Sequence, residues 1–395
     1  MSVSAVGVLE GDAVERATRV AADVAALWAD EVDRDARFPV EAVDALRGAA
    51  LLSCAVPRHR GGEGASLPAL CRMARILGHH CAATGMVFAM HQSQVMSLVR
   101  HGDSAAMRDF VDAAVGAQYL LASATTEVGI GGDVRRSSCA IEMVAGRATV
   151  SKNAPVISYG EYADAVLVTA RRTPDSPASD QVLVVCRRSD VELEPTGAWN
   201  TLGLRGTCSP GFALHASTEP GLICTDPYSE ISSETMLPVS HCLWSAVWLG
   251  IADAAMDKAR RFVQSAGRRD PGVVPPGALR LAESAAAHQQ MVDLVDSAAV
   301  RFERAARDPD DTVVRVPNGV GFALAMNNLK VSTSNLVVDI VGQAMLICGI
   351  AGYREDGKYS LGRHLRDAYG ARIMVNNDRI TANSAQLALA YRGAL

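Results

Sequence analysis

The sequence from Thr126 to Asp133 reads TEVGIGGD, and this glycine-rich loop is the most informative segment of the chain. Its glycines allow backbone amides to approach a ligand closely, because glycine has no side chain and adopts unusual backbone angles readily. The hydroxyl of Thr126 offers both a donor and an acceptor to a polar ring edge. On its own, such a loop is more typical of a plain turn between two strands. The segments around it therefore decide its interpretation.

The loop lies in the middle of three regions with different patterning. Residues 1–117 contain helical repeats such as AVERATRVAADVAALWADEV, and residues 229–395 contain long amphipathic segments such as ALRLAESAAAHQQMVDLVDSAAVRFERAA. Residues 118–228 instead contain short β-branched segments, such as QVLVVCRR, bounded by Gly, Pro, Ser or Asp. We therefore expect an α+β protein with an N-terminal helical domain, a middle β domain and a C-terminal helical bundle.

The composition narrows the class of protein. The chain has 395 residues, of which 49% are hydrophobic and 21% are charged, as in an ordinary globular protein. The net charge of −5 argues against a nucleic-acid surface, which needs a clustered basic excess. No apolar run is expected to reach the roughly 18 residues that would cross a bilayer, and the N-terminus lacks the basic and apolar segments of a secretory signal. We expect a cytoplasmic protein with no nucleic-acid or membrane partner.

The cysteines point to neither a disulfide framework nor a metal centre. The nine cysteines are spread singly along the chain, with no close pair at metal-ligand spacing. They are predicted to be reduced and mostly buried, where a thiol behaves as a small hydrophobic group. No metal site is predicted.

Three further segments accompany the glycine-rich loop. They read SKNAPVISYG from Ser151 to Gly160, LRGTCS from Leu204 to Ser209, and CGIAGY from Cys348 to Tyr353, with RDA following at 366–368. Together with the loop, these segments resemble motifs of the acyl-CoA dehydrogenase superfamily, in the same order and over nearly the whole chain. The motifs are Thr-Glu-Pro-x-Ala-Gly-Ser-Asp, a strand ending Trp-Ile-Thr-Asn-Gly, Met-Arg-Gly-Thr-x-Ser, and a terminal Gly-Gly-x-Gly-Tyr with Arg-Asp-Ala. The resemblance implies a β-barrel-like middle domain, a C-terminal four-helix bundle, and a homotetramer with one FAD per subunit.

The resemblance also implies contacts between the flavin ring and the middle domain. By matching position, Thr126 should face the pyrimidine edge of the flavin, and Ser158 should face the region of N5. Gly131 and Gly132 lie in the loop that passes close to the cofactor. These four residues are assigned to cofactor binding.

Other cofactor contacts are assigned near the C-terminal bundle. Arg268 and Arg269 occupy the place of an arginine that binds the FAD phosphates of a neighbouring subunit, although a basic helix end interacting with its own dipole explains them equally well. Gly349 lies in the terminal glycine segment, and Asn377 follows the Arg-Asp-Ala motif; both are assigned to the cofactor. Because Ile350 replaces a glycine of that segment, FMN remains an alternative to FAD.

The chain departs from the family at the catalytic base. In the family, a glutamate after Arg-Asp-Ala removes the α-proton of the substrate, and Val375 takes its place here. Some relatives carry the glutamate at the start of a bundle helix, where this chain has Ser240 with His241 beside it. A positioned base accelerates proton transfer by roughly 10²–10⁴-fold, so its loss is a chemical problem for a dehydrogenase.

Two histidines and a serine are therefore assigned to catalysis. His241 is expected to face the pocket, and imidazole titrates near neutral pH. His91 lies on a helix that lines the acyl pocket in relatives, and Ser240 occupies the alternative base position. For each histidine the other interpretation is a satisfied, partly buried side chain. Glu234 and Asp378 remain as substitute carboxylates.

Three functions stay open at this point. The first is a flavin-dependent dehydrogenase that oxidises an acyl thioester, bound to CoA or a carrier protein, with a non-standard base such as His241. The second is a monooxygenase on the same fold, which uses reduced flavin and O2 to oxygenate nitrogen, sulfur or carbon. The third is a binding or assembly subunit without redox activity. The first requires an electron-transfer partner and the second a flavin reductase.

Overall fold

The N-terminal region is helical. A computed structural model describes residues 3–131, 133–306 and 319–392. The N-terminal helices are α1 Val3–Val20, α2 Ala26–Arg34, α3 Val40–Gly48, α4 Leu67–His80, α5 Ala82–His101 and α6 Ala105–Ala117, with a π-helical turn over Ala21–Ala25 between α1 and α2. Serine side chains cap two of them: Ser66 accepts from the amide of Ala69 at the start of α4, and Ser104 accepts from Met107 at the start of α6.

The middle region consists of strands that form two sheets. The strands are β1 Leu121–Ala124, β2 Glu142–Val144, β3 Arg147–Ala154, β4 Ala165–Arg171, β5 Gln181–Arg187, β6 Val191–Pro195 and β7 Phe212–Thr218. One sheet has the order β1-β4-β5, with β1 parallel to β4, and the other is antiparallel with the order β2-β3-β7-β6. Strands β4 and β5 are buried along nearly their whole length, whereas β3 and β7 alternate between buried and accessible residues. The middle region thus packs its first sheet inside the protein.

The C-terminal region is a helical bundle. Its helices are α7 Tyr228–Ile231, α8 Leu237–Arg269, α9 Ala278–Ala306, α10 Val320–Cys348, α11 Ile350–Tyr353, α12 Gly362–Ile373 and α13 Asn377–Ala390, with a π-helical turn over Ser232–Met236 before α8. Helices α8, α9 and α10 pack against one another, and α12 and α13 pack against α10. One hydrophobic core runs through all three regions of the chain.

Two bundle helices are apolar enough to cross a membrane by length and composition alone. They are the helix that contains α8 and helix α10, with mean hydropathies of 1.3 and 1.5 over their most apolar windows. In the first, 89% of that window is buried inside the protein, as expected for the central helix of a bundle. In α10 the buried share is 50%, so part of an apolar helix faces outward.

All nine cysteines are free thiols. Seven are buried, and burial raises the pKa of most of them, for example that of Cys242 to about 12. They therefore act as packing groups in the core.

Candidate active site

A cavity of about 640 Å³ lies where the three regions of the chain meet. Helix α5 lines one side and the middle region lines a second. The segment from α7 to α8, together with α12 and the turn that follows it, lines the rest. Its volume falls within the range of about 300–1,000 Å³ that is usual for small-molecule and cofactor sites. The cavity is therefore the candidate active site.

The middle region contributes a wall of hydroxyl groups. Thr126 and Ser158, two of the predicted flavin contacts, line this wall. Thr126 donates from Oγ1 to the carbonyl oxygen of Val156 at 3.1 Å, which leaves its oxygen free to accept. Ser158 accepts from the hydroxyl of Ser209 at 2.9 Å, so its own hydrogen remains available to an acceptor such as a ring nitrogen. This wall suits the polar edge of a flavin.

The glycine-rich loop runs beside this wall. Gly129 and Gly131 have φ angles of 93° and 61°, in the left-handed region that favours glycine. An added side-chain carbon at either residue would meet nothing within 4 Å, so the space beside the loop is open. Gly132 lies outside the described residues.

His241 lines the cavity from α8 and has a protein partner on one ring nitrogen. Its Nδ1 lies 3.0 Å from the carbonyl oxygen of Met326. Because a carbonyl oxygen only accepts, Nδ1 carries the proton and Nε2 is an acceptor. Burial lowers the pKa of His241 to about 4, and the nearby charge of Lys330 also lowers it. The imidazole is therefore neutral at pH 7 and a weak base.

Ser240 also lines the cavity, but its hydroxyl hydrogen is already used. It donates to Oγ of Ser93 at 3.1 Å, and Ser93 donates in turn to the carbonyl oxygen of Ala89 at 3.0 Å. Ser240 has no basic group to activate it along this chain of hydrogen bonds. Its remaining contribution to the cavity is a hydroxyl oxygen that accepts.

His91 lies outside the cavity and bridges two backbone segments. Its Nε2 is 2.6 Å from the carbonyl oxygen of Leu52, and its Nδ1 accepts from the amide of Leu121 at 3.0 Å. The side chain is fully buried, and burial lowers its pKa to about 4. Both ring nitrogens are occupied by backbone partners, so neither is available to a substrate, in contrast to the catalytic role predicted for His91.

The place of the family glutamate is part of the cavity wall. Val375 lines the cavity with a φ of 47°, which is unusual for a β-branched residue. Asn377 does not line the cavity; its Oδ1 accepts from Nζ of Lys330 at 2.7 Å, and its Nδ2 donates to Oγ of Ser334 at 3.0 Å. Asn377 thus supports the turn between α12 and α13 from behind.

The RDA motif joins α12 to the middle region. The buried carboxyl of Asp367 accepts from the amide of Leu204 at 2.6 Å, and burial raises the pKa of Asp367 to about 6. A side-chain carbon on Gly203 would lie 2.2 Å from the carbonyl oxygen of Arg366, so the loop and α12 approach closely. Arg366 lines the cavity and pairs with Asp33. Gly203, Leu204 and Arg366 all line the cavity, so the contact between this loop and α12 forms part of its wall.

The cavity lining has no carboxylate among the described residues. Glu234 and Asp378, the two substitute carboxylates considered from the sequence, both lie outside that lining. An α-proton could therefore be removed only by a group such as the neutral His241.

The remaining predicted cofactor residues lie away from the cavity. Arg268 and Arg269 end α8 and line a separate basic groove of about 550 Å³, together with Lys258, Arg261 and Lys358. Gly349 joins α10 to α11 with a φ of 56°. None of these three predicted residues lines the cavity of this subunit.

The structure adds cavity residues that the sequence patterns did not identify. Met86, Met90 and Gln94 recur every four residues along α5 and line the cavity, and Trp244 lines it one turn after Ser240. Oε1 of Gln94 and Nε1 of Trp244 are themselves buried, and neither has a hydrogen-bond partner among the described residues. The four-residue spacing is a signal that marks one face of α5, but hydropathy does not separate that face in a helix buried on all sides.

Comparison with known proteins gives the family. The family model described as "Acyl-CoA dehydrogenase, N-terminal domain" matches residues 11–117, and "Acyl-CoA dehydrogenase, C-terminal domain" matches residues 232–384. The chain is 22% identical over 354 residues to cyclohex-1-ene-1-carbonyl-CoA dehydrogenase of Syntrophus aciditrophicus, covering 89% of this chain and 82% of the relative. It is 25% identical over 262 residues to dibenzothiophene monooxygenase of Rhodococcus erythropolis, covering 63% of this chain and 62% of the relative.

A solved structure shares the fold over almost the whole chain. The FMN-bound form of TdsC from Paenibacillus sp. A11-2 superimposes with a TM-score of 0.82 at 20% identity, covering 97% of this chain and 98% of TdsC. Since the family models match both helical regions of the chain, this chain belongs to the acyl-CoA dehydrogenase superfamily of flavin-dependent oxidoreductases.

Proposed function

We propose that this chain is a flavin-dependent monooxygenase that oxygenates a small, largely apolar substrate in the cavity. The observation that carries the proposal is the lining of the cavity, in which the described residues include no carboxylate and Val375 stands in place of the glutamate. Oxygen transfer needs no base of that kind, whereas thioester oxidation begins with removal of an α-proton. The fold similarity to TdsC, a dibenzothiophene monooxygenase, and the relative of that name in Rhodococcus erythropolis are consistent with the proposal.

The reaction is balanced by reduced flavin and O2. Reduced flavin supplies two electrons and two protons; one oxygen atom enters the substrate and the other leaves as water. The residues of this chain would orient the substrate, exclude bulk water and supply hydrogen bonds. Met86, Met90 and Trp244 form the apolar part of that enclosure.

We propose that Thr126 and Ser158 hold the polar edge of the flavin ring. Their free acceptor and donor groups support this assignment. FMN would need donors for one phosphate beyond the ring, whereas the adenosine half of FAD would need a second binding surface. Arg268, Arg269 and Gly349 would provide that surface only from a neighbouring subunit, because they do not line the cavity of their own.

We also propose a homotetramer. Leu346, Ile350 and Tyr353 on α10 and α11 expose 62%, 74% and 74% of their surface, and large exposed apolar groups mark surfaces that bind another chain. Sedimentation velocity should give a tetramer, and Ile350→Glu should shift it to smaller species. If the wild-type protein is a monomer, Arg268 and Arg269 do not contact the cofactor of a neighbouring subunit. We propose, in addition, that the protein is cytoplasmic and that a separate flavin reductase supplies the reduced flavin.

The deciding experiment follows the flavin spectrum. The flavin-loaded protein is reduced without oxygen and mixed rapidly with oxygenated buffer. The monooxygenase proposal predicts a transient absorbance species before oxidised flavin returns. A single direct return to oxidised flavin would overturn it. Failure to bind either FMN or FAD would instead favour a binding or assembly subunit without redox activity.

A dehydrogenase acting on an acyl thioester is the second candidate. It is favoured by the Syntrophus aciditrophicus relative and by Nε2 of His241, which has no partner among the described residues and would serve as the substitute base. In that case His241→Ala should abolish bleaching of the flavin by substrate while the flavin stays bound. Normal bleaching in this variant would exclude His241 as the base.

A further inference from the structure

We propose that the cavity selects an aromatic or heteroaromatic substrate with an N–H or O–H group, and that Nε2 of His241 accepts the hydrogen bond from that group. This inference rests on the proposed function, because it takes the cavity as the substrate site. It adds the chemical class of the substrate.

The acceptor character of His241 is set by helix α10. Met326 contributes the carbonyl oxygen that holds the proton on Nδ1, at 3.0 Å. Lys330, one turn further along α10, places a positive charge nearby that disfavours a second proton on the ring. The imidazole is therefore held in the tautomer that presents a lone pair at Nε2. This nitrogen has no partner among the described residues and belongs to a side chain that lines the cavity.

The surroundings of His241 favour an aromatic ring. The ring of Trp244 lies 6.0 Å from the imidazole, centroid to centroid, at an angle of 46°. Met86, Met90 and Met236 line the same cavity, and thioether groups make favourable contacts with aromatic rings. A flat ring would pack among these side chains while its N–H or O–H reached the imidazole.

A ring without a donor fits this wall less well. It would cover Nε2 of His241 without replacing the hydrogen bond that water provides in the open cavity. Covering an acceptor in this way costs free energy, whereas a matched N–H or O–H recovers it. The site should therefore discriminate between two rings of the same shape that differ in this group.

Indole and benzothiophene provide such a pair, because sulfur replaces the N–H group in a ring of nearly the same shape. Their dissociation constants are measured by calorimetry with the flavin-loaded full chain in air and without a reductant. Because benzothiophene is the more apolar ring, the two dissociation constants are not compared directly. Instead, their ratio in the wild type is compared with their ratio in each variant. We expect the preference for indole to fall about tenfold in His241→Phe, which keeps a ring but removes the acceptor. His241→Gln should restore part of it, because its amide oxygen accepts.

A further comparison needs no variant. Wild-type protein should bind indole about tenfold more tightly than 1-methylindole, which lacks the donor. Equal affinities for these two rings, an unchanged ratio in His241→Phe, or no binding of either ring at millimolar concentration would each overturn the inference.

The outcome is separable from that of the proposed function. Because no reductant is present, the binding ratios do not depend on oxygen transfer. Selective binding without the transient absorbance species would reject the monooxygenase and keep the substrate class. The transient species with an unchanged binding ratio would support the monooxygenase and reject the proposed substrate class.

Discussion

Nζ of Lys330 donates a hydrogen bond to the carbonyl oxygen of Val375 over 2.7 Å. The same ammonium donates to Oδ1 of Asn377 over 2.7 Å and lies 5.8 Å from the ring centre of Trp248. Lys330 is fully buried, and its hydrogen bonds within the described residues go to neutral oxygens. Val375 has a left-handed φ of 47° and lines the cavity. A buried cation on α10 therefore holds a strained turn in the position of the family glutamate.

Replacing this lysine should loosen the turn. In Lys330→Met, the oxygens of Val375 and Asn377 lose their donor, and each such loss costs about 1–3 kcal/mol. The removal of a buried charge offsets part of this cost, so we expect a net loss of about 1–3 kcal/mol in the free energy of unfolding. Urea denaturation measures the loss, and amide exchange should accelerate between Met374 and Asp378. Exposed Lys358→Met is the control and should change stability by less than about 0.5 kcal/mol. Unchanged exchange in Lys330→Met would contradict this role.

Lys330 should also make the protein more stable in mild alkali. Burial lowers its pKa from 10.5 to about 8. Between these values the unfolded chain holds the proton and the folded chain does not, so the free energy of unfolding rises with pH in this window. Below pH 8 the lysine is protonated in both states, so it no longer makes the free energy of unfolding depend on pH. The difference in stability between wild type and Lys330→Met, measured from pH 7.5 to 10, should grow by about 1–2 kcal/mol. A constant difference would mean that this lysine titrates normally.

The strain at Val375 predicts a stabilising substitution. A left-handed conformation costs an L-residue about 1–2 kcal/mol, whereas glycine adopts it freely. Glycine loses about 0.5–1 kcal/mol through its greater freedom in the unfolded chain, so Val375→Gly should stabilise the fold by about 0.5–1 kcal/mol. Val300→Gly, at a similarly accessible valine inside the last third of α9, should instead destabilise it by about 1 kcal/mol. Equal losses in both variants would show that the Val375 backbone is unstrained.

Local sequence pattern predicted the order of the elements but only part of the cavity. The β-branched runs of β4 and β5 and the long periodic helices are local features, and Thr126 and Ser158 were found through motifs. Lys330 belongs to an ordinary helical repeat, and its partner Val375 lies 45 residues away in sequence. That contact depends on how the turn after α12 folds over α10. The tertiary arrangement therefore determines the role of Lys330.

His91 shows the same limitation on a single helix. The sequence identified the helix that lines the cavity, α5, but assigned the wrong face of it. Because α5 is buried on nearly every side, periodicity does not distinguish the face of Met86, Met90 and Gln94 from the face of His91. The orientation of His91 away from the cavity is set by its hydrogen bonds to Leu52 and Leu121, which lie in distant segments of the chain.

His91 should contribute to stability in a pH-dependent way. Burial lowers its pKa from 6.5 to about 4, so between these values the unfolded chain binds a proton that the folded chain does not. Its contribution is complete above pH 6.5 and is lost as the pH falls towards 4. His91→Leu leaves the carbonyl of Leu52 and the amide of Leu121 without partners, and we expect a loss of about 2–4 kcal/mol at pH 7. The loss should shrink when urea denaturation is repeated at pH 4.5, and a pH-independent loss would refute the proposed neutral bridge.

Helices α4 and α8 cross at two glycines, Gly78 and Gly250. A side-chain carbon on Gly250 would lie 2.1 Å from the carbonyl oxygen of Arg75 and 2.6 Å from the amide nitrogen of His79. Both contacts are with backbone atoms, so the helices would have to separate. At the same crossing Arg75 donates twice to Asp253, at 2.6 and 2.9 Å, and separation would also stretch this ion pair. We therefore expect Gly250→Ala to destabilise the fold by about 2–3 kcal/mol, as overpacking does in well-packed cores.

The control for this crossing is a glycine with free space around it. A side-chain carbon on Gly116, near the end of α6, would meet nothing within 4 Å. Gly116→Ala should therefore be neutral or stabilising by up to about 1 kcal/mol, since alanine is the better helix former. Urea denaturation of both variants, with flavin binding measured in parallel, tests the crossing. If Gly250→Ala matched Gly116→Ala in stability, α4 and α8 would be further apart than these distances state. Because α8 carries Ser240, His241 and Trp244, a shift of α8 should also weaken flavin or ligand binding in Gly250→Ala but not in Gly116→Ala.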